Sequence, residues 1–299
     1  MSYKSIIYKI IRYPLIFLFL KTPLINILKN SFKQHREKRN ILMRSLNIFF
    51  QKEYFSKLKN KKKIRELTDS TLAFGQGRKW AEYYYNKNIL NIQTLQSRCV
   101  GQMSLKDSSL IYTRIINFIK KNNLEKNKDV YIIQIGSCSG RELEFFHNIF
   151  PELNFISTDI NDEILDFQKE KYKYKNFNFY KCYAENINKC IEDNNIQNKI
   201  IIIFTSGTLQ YVNPHFLIDF FNQLKRFKNI NLFLNEPISL LFIDNSNLIY
   251  KSRGNISFSH RYDSYCNEFN IIEKKILRPY AIDDIFHKDT GHYFLHVSN

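Results

Sequence analysis

The sequence predicts an α/β fold, a seven-stranded and mostly parallel sheet with helices on both faces, preceded by a basic helical region. Short apolar runs alternate with amphipathic stretches through the last two thirds of the chain, the pattern of a parallel sheet that is covered on both faces. The predicted strands are residues 130–135, 154–158, 177–183, 199–205, 230–235, 270–278 and 292–297. The predicted helices are residues 140–149, 161–171, 186–193 and 213–227, after a first helix that runs from Ser104 to about Lys121. The last two strands follow each other without a clear long helix, which predicts an antiparallel hairpin at one edge of the sheet.

Positive charge is concentrated in the first fifth of the chain. Residues 1–65 contain 17 Lys and Arg against two acidic residues, a net charge of +15, whereas the whole chain of 299 residues carries +17. Residues 66–299 therefore carry only +2. This distribution predicts a basic arm, residues 1–65, attached to an almost neutral body, and it indicates a polyanionic neighbour, either anionic lipid or nucleic acid.

Apolar residues are interspersed with the cations in the first part of the basic arm. The longest uncharged run within Ser5–Leu28 is Tyr13–Leu20, eight residues, or about 12 Å as a helix. A bilayer core of about 30 Å needs some 20 apolar residues, and Pro14 and Pro23 would kink a helix. We therefore expect an anchor that lies on an anionic membrane surface rather than a simple span. An arm packed on its own domain and a nucleic-acid-binding arm are the alternatives.

A second predicted region, residues 66–103, is rich in aromatic residues. Gly75 and Gly77 lie close to Trp80, the only Trp of the chain, and three tyrosines follow it. This composition predicts a helical lid or linker in which Trp80 contacts the substrate, with aromatic packing against the main domain as the alternative. The third region, residues 104–299, contains all the predicted strands.

The five cysteines give no sign of a metal site or of a disulfide framework. They include no CxxC pair, and neither histidines nor acidic residues occur at the spacing of a zinc or catechol-type metal site. We therefore expect no metal and reduced thiols in a cytoplasmic protein.

The clearest chemical signal is the glycine turn, residues 136–140, Gly-Ser-Cys-Ser-Gly. Only eight glycines occur in the chain, and two of them flank this turn between an apolar strand and a helical pattern. Such a turn brings backbone N–H groups at a helix N-terminus close to a ligand. A dinucleotide fingerprint would need a third glycine where Arg141 stands, so the spacing favours a nucleoside without phosphates over NAD. An ordinary strand-to-helix turn is the alternative.

Two further signals lie where predicted strands end. Asp159 ends the second strand, where a carboxylate accepts hydrogen bonds from both hydroxyls of a ribose; its alternative role is to cap the helix that follows. After the fourth strand, Thr205-Ser206-Gly207 would expose backbone and hydroxyl groups at the same edge. Ligands of open α/β sheets bind at this carboxyl edge.

Together these residues resemble the class I S-adenosylmethionine-dependent methyltransferases over residues 104–299. The glycine turn is similar to the family's glycine loop, Asp159 to its ribose acid, and residues 205–212 to its motif after the fourth strand. The family also has a seven-stranded sheet with a terminal hairpin, but it commonly has an acid where Gln134 stands and a glycine where Cys138 stands. The resemblance implies an S-adenosylmethionine site formed by Gln134, Gly136, Ser137, Cys138, Gly140, Asp159, Ile160, Ala184, Glu185, Thr205 and Ser206.

The same resemblance implies an enzyme that transfers a methyl group, mainly by holding donor and acceptor in line. Acceptor contacts are expected between the fifth and sixth strands, where Glu236 and His260 are the candidate catalytic groups for an acceptor that needs a general base. Local capping by Glu236 and packing of His260 are the alternatives. The remaining candidate substrate contacts are Tyr211, Tyr262 and Trp80.

The residues after the fourth strand and the basic arm bear on the acceptor. The Asn-Pro-Pro-Tyr motif of adenine and glutamine N-methylation is absent there, and the combination of Leu-Gln-Tyr with a basic, apolar N-terminus is similar to bacterial sugar methyltransferases of cell-surface polysaccharide assembly. We therefore predict O-methylation of a sugar or another small polar or lipid-linked acceptor, in the cytoplasm at the inner membrane face. The alternatives are an RNA methyltransferase that uses the basic arm and a non-catalytic membrane adaptor with the same fold.

Overall fold

A computed structural model describes Lys62, Arg65 and residues 77–87, 105–243, 248–252, 257–277 and 290–299. The chain divides between Ile64 and Arg65 into two units, and the helices and strands below belong to the second unit. Most of the basic arm and most of residues 66–103 lie outside the described residues, so the predicted domain boundaries stay predictions. Within the described ranges, no helix combines the length and the hydropathy that crossing a bilayer requires.

The elements occur in the predicted order. The helices are α1 Arg78–Lys87, α2 Leu105–Lys121, α3 Arg141–Ile149, α4 Asp162–Lys171, α5 Ile187–Asp193 and α6 Pro214–Leu224. The strands are β1 Val130–Ile135, β2 Asn154–Asp159, β3 Phe177–Lys181, β4 Ile200–Ser206, β5 Ile230–Ser239, β6 Tyr250–Ser252, β7 Phe258–His260, β8 Asn270–Leu277 and β9 Thr290–Ser298. The prediction missed the short pair β6 and β7 and ended the fifth strand too early, because β5 continues through Glu236 and Pro237 alongside β9.

Seven strands form one mixed sheet in the order β3-β2-β1-β4-β5-β9-β8. Strands β1 to β5 are parallel, and β9 is antiparallel to both of its neighbours, β5 and β8. The predicted sheet and the predicted edge hairpin are confirmed. Because the chain moves outward from β1 to β3 and then returns to β4 on the other side of β1, the connections after β1 and β4 diverge. A crevice therefore opens at the carboxyl ends of these two strands.

Alternate side chains of the central strands pack into two separate apolar layers. Ile133 and Ile135 of β1 belong to the layer that contains α5 and α6. Val130 and Ile132 belong to the layer that contains α2 and α3. Each fully buried side chain of this kind stabilises the fold by about 1.5–3 kcal/mol, so both faces of the sheet are fixed and only the strand ends remain for a ligand site.

Side-chain caps fix where two helices leave that edge. The side chain of Asn161 accepts a hydrogen bond from the Glu163 N–H at 3.0 Å at the start of α4. Asn213 does the same for the His215 N–H at 3.1 Å at the start of α6, with Pro214 at the first helical position. Each cap satisfies a backbone donor that would otherwise lack a partner, so the helices begin at defined points beside the crevice.

Candidate functional site

The glycine turn between β1 and α3 adopts a conformation that few residues tolerate. Gly136, Cys138 and Gly140 all have positive φ, at 67°, 49° and 72°. Cys138 bears a strain of about 1–2 kcal/mol in this region because its Cβ crowds the backbone. A Cβ on Gly136 would lie 2.9 Å from the Cβ of Thr208 and closer still to its Oγ1 and Cγ2. The loop after β4 therefore touches the glycine turn, and only a glycine fits at position 136.

The glycine turn is held from one side by α4 and by Tyr172, which follows it. The Gln168 Nε2 donates to the Cys138 carbonyl at 2.8 Å and to the Ser137 Oγ at 2.9 Å. The Tyr172 hydroxyl donates to the Ser139 carbonyl at 2.7 Å. Because C=O and N–H point in opposite directions in a trans peptide, anchoring the Cys138 carbonyl turns the Ser139 N–H away from α4. The sequence interpretation missed Gln168, although a polar residue on the apolar face of α4 was a usable signal.

The Asp159 side chain is directed at the glycine turn. Its Oδ2 accepts a hydrogen bond from the Cys138 N–H at 3.2 Å, and its Oδ1 accepts one from the Asn161 N–H at 3.1 Å. Burial raises the pKa of Asp159 to about 6, although these backbone N–H groups favour the ionised form. The carboxylate is thus mainly charged at neutral pH. The backbone N–H groups of Cys138, Ile160 and Asn161 use three of its roughly four lone-pair sites, so it can still accept from a further donor. Helix α4 is capped by Asn161. Asn161 therefore performs the helix-capping role that was the alternative for Asp159.

Gln134, near the end of β1, presents a buried acceptor. Its Nε2 is 3.4 Å from the Glu142 Oε2, a long contact, and within the described residues its Oε1 accepts from no donor. The side chain is only 4% exposed, and leaving a buried acceptor unpaired costs about 1–3 kcal/mol. An ammonium or hydroxyl group of a ligand would satisfy it.

The segment after β3 lies beside Asp159. The Cys182 N–H donates to the Asp159 carbonyl at 3.1 Å, and a short 3₁₀ helix then buries Ala184 and Glu185. Arg65 forms an ion pair with Glu185 at 2.8 Å, and its guanidinium lies 4.1 Å from the ring centroid of Tyr183. Ile160, the residue after Asp159, is half-buried at the same edge.

The structure places Glu236 inside the fold as the anchor of the loop after β4. Its Oε1 accepts from the Thr205 hydroxyl at 2.8 Å and from the Thr208 N–H at 3.1 Å, and its Oε2 accepts from the Gln210 N–H at 3.1 Å. The side chain has no exposed surface, and burial raises its pKa to about 7. These contacts correspond to the capping alternative. Thr205, which donates its hydroxyl hydrogen to Glu236, is also fully buried, whereas Ser206 is half-buried at the end of β4.

The other predicted acceptor residues are spread over four elements. His260 ends β7, where it is fully buried and its Nε2 lies 3.1 Å from the Val212 carbonyl oxygen. Tyr262 is fully buried as well, with its ring packed against Tyr293, and Tyr211 is half-buried beside the loop after β4. Trp80 lies in α1. Contact of these residues with an acceptor and catalysis by Glu236 or His260 stay predictions, and the burial of Glu236, His260 and Tyr262 does not favour them.

Among the residues that the structure describes, the thiols and acidic side chains form no cluster suited to a metal. In the described ranges, no group of three or more His, Cys, Asp or Glu side chains is arranged to hold a metal ion. Cys138, Cys182, Cys190 and Cys266 are free thiols, and burial raises the pKa of each above that of an exposed cysteine.

Solved methyltransferase structures are similar to this chain, at low identity. An S-adenosylmethionine-dependent methyltransferase from Anabaena variabilis matches at 12% identity and a TM-score of 0.44, over 74% of this chain and 94% of its own. Coclaurine N-methyltransferase bound to N-methylheliamine and S-adenosylhomocysteine matches at 6% and 0.45, over 92% and 94%. Geranyl diphosphate C-methyltransferase from Streptomyces coelicolor matches at 10% and 0.41, over 64% and 78%. No protein-family model and no curated protein sequence matches the chain.

Proposed function

We propose that this protein is an S-adenosylmethionine-dependent methyltransferase whose donor site is the crevice between the glycine turn and Asp159. The single observation that carries the proposal is the Asp159 carboxylate at the end of β2, which faces the glycine turn and accepts the Cys138 N–H. It lies beside the point where the chain connections diverge between β1 and β4, the place where open α/β sheets bind nucleosides.

The residues present fit this donor group by group. The Asp159 carboxylate would accept hydrogen bonds from the ribose hydroxyls of S-adenosylmethionine. The Gln134 Oε1 would accept a hydrogen bond from the ammonium group of its methionine part. Ala184 and Glu185 would lie beside the adenine. When bound, the donor supplies an electrophilic methyl group on a positively charged sulfur. The chain's own task is to hold that group and to exclude water, which the buried ends of the strands favour.

The charge of the crevice favours a cationic donor over a dinucleotide. Asp159 lies on one side of the glycine turn, and Glu142 lies in the first turn of α3 within reach of Gln134. Two carboxylates so close to the helix N-terminus would repel a pyrophosphate and attract a sulfonium or an ammonium group. The absence of the third glycine of the dinucleotide fingerprint also favours a ligand without a pyrophosphate.

Calorimetric titration of the full chain with S-adenosylhomocysteine tests the donor site. We expect one site per chain, and about 10- to 100-fold weaker binding for Asp159→Asn, because a hydrogen bond to a charged group contributes about 1.5–3 kcal/mol. Asp166→Asn is the matched control, since Asp166 is an exposed acid on α4 that pairs with Lys169. NAD should not bind. A folded protein that produces no binding heat, or an Asp159→Asn variant with unchanged affinity, would contradict the proposal.

We further propose that the acceptor is a sugar or another small polar or lipid-linked molecule, O-methylated at the cytoplasmic membrane face. The basic arm with its charge of +15 supports this proposal, as does the sequence resemblance to sugar methyltransferases. The test is incubation with methyl-labelled donor and a membrane-plus-cytosol extract of the source organism. Label in a glycan or lipid-linked fraction is the expected result, and label in RNA would favour the alternative.

Flotation with vesicles tests the membrane part of the proposal. The full chain should float with vesicles that contain anionic phosphatidylglycerol and remain behind with neutral phosphatidylcholine alone. A full-chain variant with Gln at positions 33, 36, 38 and 39 removes four cations of the arm and should float several-fold less. Flotation unaffected by this change would refute the predicted anchor, and RNA binding that falls steeply with salt would favour nucleic acid.

A further inference from the structure

An apolar patch, Leu248–Tyr250, lies on the surface at the start of the short pair β6 and β7. Within the described residues, eight large apolar side chains are exposed, and only in this patch are three of them consecutive. Leu248, Ile249 and Tyr250 are 39%, 51% and 40% exposed. A single exposed apolar side chain is normal on a protein surface, whereas a contiguous group indicates a contact surface.

The apolar patch belongs to a folded part of the chain. Tyr250 pairs with His260 in the antiparallel ladder of β6 and β7. The Ile249 carbonyl accepts a hydrogen bond from the Arg261 N–H at 2.8 Å, and the Leu248 carbonyl accepts one from the Arg261 Nε at 3.2 Å. Because these bonds fix the backbone of the patch, its apolar side chains are exposed in the folded protein.

The pair β6 and β7 lies at the carboxyl edge of the main sheet. The Ser239 N–H at the end of β5 donates to the Ser259 Oγ at 2.8 Å. The His260 Nε2 lies 3.1 Å from the carbonyl oxygen of Val212, in the loop after β4. The same loop touches the glycine turn. Contacts therefore connect the proposed donor site, through the loop after β4, to the strands that carry the apolar patch.

The sequence around the apolar patch is positively charged, although the body of the chain is almost neutral. Residues 245–262 contain no acidic residue and three cations, Lys251, Arg253 and Arg261. Asp263, the acid that follows, is paired with Lys274. Apolar side chains with a tyrosine, flanked by Lys and Arg, are typical of segments that lie in the interface of an anionic bilayer. An anionic lipid surface thus complements both the apolar side chains and the cations.

We infer that the apolar patch and the cations beside it bind the surface of an anionic bilayer, and that this contact brings a lipid-linked acceptor to the carboxyl edge. The inference rests on the proposed function and names the source of the acceptor. Leu248 and Ile249 would enter the acyl region, while Tyr250 and Lys251 would lie at the level of the head groups. The acceptor would be an amphiphile whose polar head reaches the donor site while its chain stays in the bilayer.

A matched pair of full-chain variants tests the lipid contact. Ile249→Glu introduces a negative charge into the apolar patch, and Ile272→Glu makes the same change at a side chain on β8 that is 58% exposed. Position 272 lies near the opposite edge of the sheet, because its neighbour Ile271 is level with Val297 and, through it, with Leu232 near the start of β5.

Flotation of these variants is measured with phosphatidylglycerol vesicles, at the lipid concentration where half of the unaltered protein floats. Binding should weaken about tenfold in Ile249→Glu, because a half-exposed isoleucine loses its burial in lipid and the carboxylate is repelled by the anionic surface. Binding should stay within about twofold in Ile272→Glu. Equal flotation of the two variants would overturn the inference.

Fluorescence quenching tests whether the apolar patch enters the lipid. Trp80 is the only Trp of the chain, so Ile249→Trp and Ile272→Trp are compared in a Trp80→Phe background. Phosphatidylglycerol with brominated acyl chains should quench the Trp at position 249 and leave the one at position 272 unquenched. A Trp at position 249 that is not quenched in vesicle-bound protein would overturn the inference. A dimer in ultracentrifugation that Ile249→Glu dissociates would also overturn it, in favour of a second copy of the chain.

Donor binding and label transfer separate the failure of this inference from the failure of the proposed function. Ile249→Glu should bind S-adenosylhomocysteine as the unaltered protein does and should transfer several-fold less label to the membrane fraction of the extract. If the unaltered protein neither binds S-adenosylhomocysteine nor transfers label, the proposed function fails and the role of the patch in acceptor delivery fails with it. If the unaltered protein does both and Ile249→Glu labels the membrane fraction equally well, only the inference about the patch is overturned.

Discussion

Gly136→Ala tests whether the glycine turn and the loop after β4 are packed as described. An alanine at a φ of +67° costs about 1–2 kcal/mol in conformational energy. Its Cβ would lie 2.9 Å from the Thr208 Cβ, whereas carbon atoms normally approach to about 3.5–4.0 Å. Thr208 cannot retreat freely, because its N–H is bonded to Glu236 at 3.1 Å, and disturbing such a buried bond costs about a further 1–3 kcal/mol. We therefore expect a loss of about 2–5 kcal/mol in the free energy of unfolding.

The assay is urea unfolding of the full chain followed by circular dichroism, with Gly207→Ala as the control. Gly207 also has a positive φ, +75°, but a Cβ there would meet nothing closer than the Gln210 Nε2 at 3.6 Å. The control should lose only the conformational part, about 1–2 kcal/mol. Adding Thr208→Gly to Gly136→Ala removes the side-chain atoms that the alanine Cβ would meet. The stability loss of this double variant should therefore be smaller than the sum of the losses of the two single variants. The described packing is wrong if Gly136→Ala loses no more stability than the control, or if the double variant recovers nothing.

Three further predictions concern the carboxylates and the support of the glycine turn. Burial raises the pKa of Asp159 to about 6, and a bound ribose would stabilise its ionised form. Affinity for S-adenosylhomocysteine should therefore be constant above about pH 7 and fall below pH 6. Calorimetry between pH 5 and 8 should show this fall in the unaltered protein and not in Asp159→Asn. Gln168→Leu removes the donor to the Cys138 carbonyl and should weaken that affinity about tenfold, an effect absent from Ile164→Val on the same helix. Glu236→Gln places an N–H₂ group against the backbone donors that Glu236 now accepts from; urea unfolding should show a loss of about 2–4 kcal/mol, and an unchanged midpoint would contradict the anchoring role.

Local sequence patterns were sufficient to predict the sheet and the place of the glycine turn. The run Ile200–Phe204 is apolar on both faces, which indicates a central parallel strand whatever its neighbours are. Gly136 and Gly140 could be read as a turn because glycine is scarce in this chain and positive φ is easy only for glycine. Asp159 was recognisable because the acid directly ends an apolar strand at the edge where such sheets bind ligands.

The contacts that complete the site depend on pairings between distant parts of the chain. Gln168 supports a turn 30 residues before it in the sequence, and that contact exists only because α4 packs back against β2 and β3, beside the glycine turn. Glu236 was predicted directly after the fifth strand, but β5 continues through it. The alternation of side chains along β5 puts Glu236 on the same face as Thr205, to which it is hydrogen-bonded inside the fold.

A crystal structure of the protein with S-adenosylhomocysteine tests the central claim most directly. We predict the ribose hydroxyls within hydrogen-bond distance of the Asp159 carboxylate and the backbone of the glycine turn against the ligand. A ligand bound elsewhere, or an Asp159 side chain directed away from the ribose, would contradict the proposed donor site.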